Sequence, residues 1–322
     1  MTPTLPARSE TTTALIAGAG CYAMWGFIPL VFQQMGHLGA DAWEIMAHRV
    51  LWGVFWAGLL VLIARQAAQV RAILTRPRTL AWLLASTVLI AVNWTVYVIA
   101  VNSGRTLDAS LGYYLNPLLN MAAGAWLFRE RIDRFGQAAI ALAAVGVILQ
   151  ALALGHPPWI SLVLAFSFAA YGVIRKRVEA DAQSGLFIEC LLLAPLGMIW
   201  VAMIETNGTG HLFASPWATF WLLIAGPATV LPLMLFAWAA RRMPLSTMGF
   251  LQFLAPTIAF VIGVSQGEPF GWLRGVSFAF IWLGAMVYAA AALMRSRAAK
   301  VVAVESGLLD DPAEDRSVQR ER

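Results

Sequence analysis

Ten long apolar segments alternate with short polar breaks along the chain. A helix needs about 20 mostly apolar residues to cross the hydrocarbon core of a bilayer, so each segment predicts one transmembrane helix. The predicted helices cover residues 12–32, 42–64, 79–101, 107–128, 135–153, 157–174, 184–204, 217–240, 245–266 and 271–294. The connections are too short to hold a soluble domain. The pattern therefore predicts an all-α membrane protein with ten transmembrane helices.

The two ends of the chain lack this apolar pattern. Residues 1–11 predict a short cytoplasmic N-terminus, and the apolar segment that follows is too long for the core of a cleaved signal peptide. Residues 295–322 mix acidic, basic, proline and glycine residues without apolar periodicity. This composition predicts a disordered cytoplasmic tail.

Composition agrees with a bilayer environment. Apolar residues make up 60% of the chain and charged residues only 12%, and the mean hydropathy is +0.72. A soluble domain carries about a quarter charged residues, so membrane lipid is the expected surrounding of most of this chain. The net charge of +5 does not indicate nucleic-acid binding, because the basic residues form short clusters between apolar segments.

The placement of lysine and arginine predicts the orientation. With both termini in the cytoplasm, 19 of the 22 basic residues fall on the cytoplasmic side. Arg105 and Arg274 fall outside, and Arg49 lies within a predicted helix. Cytoplasmic loops of membrane proteins are enriched in these residues, so the distribution predicts an N-in, C-in topology.

Local matches between the two halves predict an internal repeat. Residues 110–113 resemble residues 247–250, and Glu44 falls opposite Glu189. A repeat of 12–153 and 157–294 contains five helices in each copy. Because five is odd, the second copy must enter the membrane inverted, and inverted repeats are typical of carriers that alternate access around a central site.

The loop charges fit an inverted repeat. Loop 65–78 carries four arginines, whereas its counterpart, 205–216, carries none. Corresponding loops therefore have opposite charge bias, as opposite orientations require.

The second predicted helix holds the densest set of candidate site residues. Glu44, His48 and Trp52 are spaced four residues apart and share one helix face, and Arg49 points about 100° away from His48. Ionisable residues cost about 2.5–3.5 kcal/mol at the centre of a membrane helix, which marks them as functional candidates. These residues could line a solute path. Alternatively, Glu44 remains hydrated near the outer interface and Arg49 extends towards it.

Two further helices carry polar residues at membrane depth. Asn93 and Tyr97 share a face of the third helix, where they either contact a solute or join helices. Tyr113, Asn116 and Asn120 form a stripe on the fourth helix.

Two prolines are predicted to interrupt helices near the membrane midplane. Pro117 removes a backbone donor and is predicted to open the fourth helix near residue 113. Pro256 lies at the equivalent depth of the ninth helix, one turn after Gln252. Related helix breaks beside polar residues indicate a central binding site, with kinks that touch no solute as the alternative.

A coupling hypothesis follows from the symmetric placement of two carboxylates. Glu44 is expected near the outer end of the pathway and Glu189 near the inner end. Alternating protonation of the two could couple solute movement to protons.

Several motifs resemble the RarD subfamily of the drug/metabolite transporter (EamA-domain) superfamily. They lie in residues 44–52 (EIMAHRVLW), 109–118 (ASLGYYLNPL), 165–176 and 278–282. The resemblance implies a ten-helix permease with two EamA repeats in the bacterial inner membrane. Members of this subfamily are named for a link with chloramphenicol, which adds amphenicols to the expected solutes.

Together these features predict a secondary transporter of a small metabolite or drug that works by alternating access. A solute channel and a non-transporting membrane protein are the main alternatives. An intramembrane enzyme is disfavoured, because the G-x-S-x-G match at 263–267 lies at the end of a predicted helix rather than in a strand–turn–helix. No cofactor or metal is expected. The sequence leaves the solute, the direction of transport and the oligomeric state open.

Overall fold

The computed structural model describes residues 8–128, 132–243 and 245–305, and within these ranges all regular structure is α-helical. The helices are α1 (Arg8–His37), α2 (Ala42–Ile63), α3 (Ala67–Leu74), α4 (Pro77–Asn102), α5 (Thr106–Phe128), α6 (Arg134–Leu154), α7 (Trp159–Arg177), α8 (Ala182–Thr206), α9 (Pro216–Ala240), α10 (Leu245–Leu251), α11 (Leu254–Ser265) and α12 (Trp272–Glu305).

The helices coincide with the predicted apolar segments. Nine segments match one helix each, and residues 245–266 form α10 and α11. Of the described helices, eight are long and apolar enough to cross a membrane, and α11 is a shorter apolar helix. The fold is therefore that of a multi-pass, all-helical membrane protein. Ten crossings, and their orientation, stay predictions.

The ends of the helical region differ from the predicted boundaries. Helix α1 already begins at Arg8, within the segment 1–11. Helix α12 continues to Glu305, so the disordered tail predicted from residue 295 begins as helix. The reason is that residues 285–305 contain neither glycine nor proline and are rich in helix-forming alanine. Residues 306–322 of the predicted tail lie outside the described residues.

A short helix, α3, lies in a segment that was predicted as a loop. It buries Val70 and Ile73 against Leu83, Val61 and Ile188. Eight residues are too few to give a membrane-spanning pattern, which is why the apolar periodicity did not reveal this helix.

The two predicted helix breaks behave differently. Gln252 and Phe253 interrupt the helix between α10 and α11. Pro256 has no N–H to donate to the carbonyl of Gln252, four residues earlier, so the interruption lies where that bond is lost. Helix α5, in contrast, continues through Pro117 without the predicted opening. Leu115 and Leu118 on either side of this proline are packed in the core, which holds both flanking turns.

Five helix pairs dominate the packing: α6 with α12, α2 with α8, α1 with α9, α2 with α9, and α5 with α7. Glycines on both helices let the α6–α12 pair approach closely. A Cβ atom on Gly146 of α6 would lie 2.9 Å from the Ser277 carbonyl oxygen, and one on Gly284 of α12 would lie 2.8 Å from that of Ala139. Helices α1, α2, α4, α5, α7, α8 and α9 contribute to the largest buried cluster in the described part of the chain, where the candidate site lies.

Candidate functional site

The centre of the site is Arg49 on α2. Its position is about 10–11 Å along the helix from the first residue, well inside the predicted membrane span. The side chain is buried, and its Nε donates a hydrogen bond to Thr229 Oγ1 on α9 at 3.0 Å. The Thr229 hydroxyl donates in turn to the Ala225 carbonyl at 2.9 Å. That bond fixes the hydroxyl rotor, so that an oxygen lone pair faces the guanidinium.

Aromatic rings surround the guanidinium. Arg49 Cζ lies 4.0 Å from the centre of the Trp94 ring and 5.3 Å from that of Phe32. The phenols of Tyr97 and Tyr113 are close enough to interact electrostatically with it, and their ring centres are 5.5 Å apart. Helices α1, α2, α4, α5 and α9 thus place one cation among aromatic faces, an arrangement that stabilises positive charge.

Asn93 positions the aromatic side of this site. Its Oδ1 accepts a hydrogen bond from the Tyr113 hydroxyl at 2.9 Å. Its Nδ2 donates to the Leu164 carbonyl at 2.8 Å and to Ser167 Oγ at 2.9 Å. Both ends of the amide are therefore used to join α4 to α5 and α7. This geometry favours the helix-joining alternative for Asn93 over direct solute binding.

Glu44 is bound to a loop at the predicted outer end. Its Oε1 accepts from the His211 backbone N–H at 2.7 Å, and its Oε2 lies 2.8 Å from His211 Nδ1. The carboxylate is buried. It ties the start of α2 to the connection between α8 and α9, about 7–8 Å along α2 from Arg49.

The remaining candidates on α2 and α5 have fewer contacts. Both ring nitrogens of His48, Nε1 of Trp52 and Oδ1 of Asn116 are buried without a hydrogen-bond partner in the described part of the chain. Trp52 packs against Gly226 of α9, where an added Cβ would lie 2.6 Å from that of Trp52. Asn120, by contrast, is exposed.

Glu189 lies in a separate polar cluster towards the predicted inner end. Its Oε1 accepts from Ser86 Oγ at 2.7 Å and its Oε2 from the Tyr171 hydroxyl at 3.2 Å. Arg175 Nη1 lies 4.0 Å from Oε1. The buried carboxylate therefore joins α8 to α4 and α7, and none of these contacts involves Arg49.

Gln252 is half-buried in the interruption between α10 and α11. One turn further, the carbonyl oxygen of Pro256 accepts a hydrogen bond from Ser110 on α5 at 2.8 Å. The break and α5 are therefore in direct contact.

A charged cluster at the predicted outer end was missed by sequence reasoning. Asp108 Oδ2 lies 2.7 Å from Arg105 Nη2, and Asp108 Oδ1 lies 2.7 Å from Arg274 Nη2. The amide oxygen of Gln150, oriented towards Arg274, accepts from Nε and Nη2 at 3.2 and 3.3 Å. The sequence did contain a signal for this cluster. Arg105 and Arg274 are the two basic residues predicted on the outer side, and an acidic residue that balances their charge should lie near them.

Further contacts connect helix ends on the same side. Glu268 accepts from the backbone N–H groups of Thr106 and Leu107 at 2.6 and 2.8 Å, which caps the N-terminus of α5 from the α11–α12 connection. The side-chain amides of Gln33 and Gln266 bond each other at 2.8 and 3.0 Å. The outer ends of α1, α5 and α11 are thus held together.

Comparison with known proteins identifies the relatives of this chain. Residues 12–152 match the EamA-like transporter family. The chain is 38% identical over 290 residues to Protein RarD of Escherichia coli, covering 89% of this chain and 97% of that protein. It is 30% identical over 267 residues to the Chloramphenicol-sensitive protein RarD of Pseudomonas aeruginosa, covering 80% of this chain and 88% of the relative. A crystal structure with 17% identity has a similar fold, with a TM-score of 0.57 over 88% of this chain and 98% of that chain.

Proposed function

Because the chain belongs to the RarD group of EamA-like transporters, we propose that it is a secondary transporter that carries a small metabolite or drug by alternating access around Arg49. As a member of a transporter family it is a membrane transporter and not an enzyme. The observation that carries the proposal is a buried arginine among aromatic rings at membrane depth. Charge inside a membrane protein is costly and marks solute and ion pathways.

The helix packing supports two five-helix repeats, 12–153 and 157–294. If α1 corresponds to α7 and α4 to α9, then the contact of α1 with α9 is the counterpart of the contact of α7 with α4. The pairs α6–α12 and α2–α8 join corresponding helices. The match of residues 12–152 to the family agrees with the first segment. An N-in, C-in orientation in the bacterial inner membrane completes this proposal.

The exposure pattern supports a conformation that is closed outside and open inside. At the predicted outer end, Glu268 and the Gln33–Gln266 pair close the helix ends above Arg49. Tyr113 and Asn120 are seven residues apart on the same face of α5, yet Asn120 towards the inner end is exposed. A path that leads from the inner side of the membrane to Arg49 would expose Asn120 in this way.

Glu189 is proposed to couple transport to protons, in alternation with Glu44. We expect efflux from proteoliposomes to change with pH and with an imposed proton gradient, and Glu189→Gln to remove this dependence. The physical reason is that Ser86, Tyr171 and Arg175 hold the carboxylate in a buried, titratable position. The matched control is Glu179→Gln, since the Glu179 side chain is 90% exposed. Transport by the wild type that is indifferent to pH and membrane potential contradicts the coupling.

An efflux experiment that does not require the solute to be known in advance tests the transport proposal. Purified protein is reconstituted into vesicles loaded with a bacterial metabolite extract and with chloramphenicol, because a relative carries the name chloramphenicol-sensitive. Mass spectrometry then follows which compounds leave protein-containing and empty vesicles. We expect protein-dependent efflux of at least one compound that saturates with its concentration. Efflux that rises linearly indicates the channel alternative, and no protein-dependent efflux contradicts transport.

A further inference from the structure

The positive charge of Arg49 has no carboxylate partner among the residues that the structure describes. Besides the rings of Phe32 and Trp94, the phenols of Tyr97 and Tyr113 and the thiol of Cys190 interact electrostatically with the guanidinium. These groups are neutral at physiological pH. Within the described ranges, its one hydrogen bond uses Nε, and the acceptor is the neutral hydroxyl of Thr229. An arginine has five N–H donors and remains protonated in proteins. Among the described residues, the positive charge therefore has no counter-ion and most of the N–H donors have no acceptor.

Two other arginines in this chain show the usual arrangement. The Arg274 side chain is 12% exposed and contacts the carboxylate of Asp108, with further hydrogen bonds to Pro269 O and Gln150. The Arg175 side chain is 14% exposed and faces Glu189. Arg49 is also buried, yet it lacks such a partner among the described residues. Buried charges are normally paired, so the compensating anion is expected from outside the chain.

The surroundings of Arg49 indicate the rest of the ligand. The rings of Phe32 and Trp94 lie against the guanidinium, and Tyr97 and Tyr113 continue this aromatic wall. Aromatic faces give apolar area but few donors or acceptors. A ligand that fits therefore combines one anionic group with an apolar or aromatic part.

We infer that the solute carries a carboxylate or an equivalent anionic group beside an apolar or aromatic part, and that Arg49 binds the anionic group. The inference rests on the proposed transport function and specifies its substrate class. Thr229 is the positioning residue, because its hydroxyl accepts the hydrogen bond from Nε and thereby restrains the orientation of the guanidinium.

Three ligands with the same ring and different charge test the inference: phenylacetate, phenylacetamide and 2-phenylethylamine. Binding to purified wild-type protein is measured by tryptophan fluorescence and thermal shift. We expect phenylacetate to bind about tenfold more tightly than phenylacetamide, because a charge-assisted bond to arginine is stronger than a neutral one. In Arg49→Met the preference is expected to vanish. An amide that binds as well as the carboxylate, or no binding of phenylacetate at all, overturns the inference.

A second variant supplies the missing anion within the protein. Thr229→Asp places a carboxylate where the hydroxyl now contacts Arg49. It is expected to abolish phenylacetate binding and to raise the melting temperature above that of the wild type. Unchanged phenylacetate binding in Thr229→Asp overturns the inference. The efflux experiment separates the two proposals, since efflux of neutral or cationic compounds alone contradicts the anion site and leaves transport intact.

Discussion

Replacing Asp108 with asparagine is expected to lower the free energy of unfolding by about 3 kcal/mol, because it leaves the partner charge of a buried ion pair uncompensated. Asp108 is the carboxylate for both Arg105 and Arg274, and its side chain is 3% exposed. Asparagine keeps the size of the residue and removes the charge. Unfolding of purified protein in mixed micelles with increasing dodecyl sulfate measures the loss.

The matched control for this prediction is Arg105→Gln. Its side chain is 31% exposed, and its removal leaves Asp108 paired with Arg274. Exposed ion pairs contribute about 1 kcal/mol or less, so we expect a loss within that range. Equal losses for Asp108→Asn and Arg105→Gln would show that the cluster does not act as a buried charge network.

Gly146→Ala is expected to destabilise the protein by about 1–3 kcal/mol, the usual cost of overpacking a close contact. The new Cβ would lie 2.9 Å from the Ser277 carbonyl oxygen, and backbone atoms of α12 cannot rotate away as a side chain can. The Ser277 hydroxyl, which donates to the Gly146 carbonyl at 2.7 Å, would be displaced with the helix. The same unfolding experiment measures the change.

Gly20→Ala on α1 is the control for the Gly146 substitution. No atom lies within 4 Å of the position its Cβ would take, and alanine is the better helix former by about 1 kcal/mol. We therefore expect Gly20→Ala to be neutral or stabilising. If Gly146→Ala is equally well tolerated, close packing of α6 against α12 is not what holds this pair together.

The helix positions could be predicted because the bilayer imposes a length and a polarity on every crossing. The sequence pattern failed where that constraint does not apply. Helix α3 is too short to cross a membrane, and the last turns of α12 extend past the apolar segment. The effect of Pro117 also depended on tertiary structure, since packing on both sides of the proline keeps α5 continuous.

The candidate site was predictable only in part. Depth alone singled out Arg49, since a charge within a span is conspicuous in the sequence. Its partners Phe32, Trp94 and Thr229 were not found, because apolar helices offer many aromatic and hydroxyl residues and helix rotation decides which ones meet. Asn93 shows the opposite case, in which a polar residue at membrane depth is fully used in joining helices.

The outer contact between Gln33 and Gln266 allows a direct test of alternating access. In a background with Cys21→Ala and Cys190→Ala, which removes the two free cysteines, both glutamines are replaced by cysteine and joined with a short, cleavable thiol cross-linker. Efflux is then measured in proteoliposomes with the solute that the metabolite experiment identifies. We predict that the cross-link stops efflux and that cleavage by a reducing agent restores it. Efflux at the wild-type rate while the link is intact would contradict alternating access through this site.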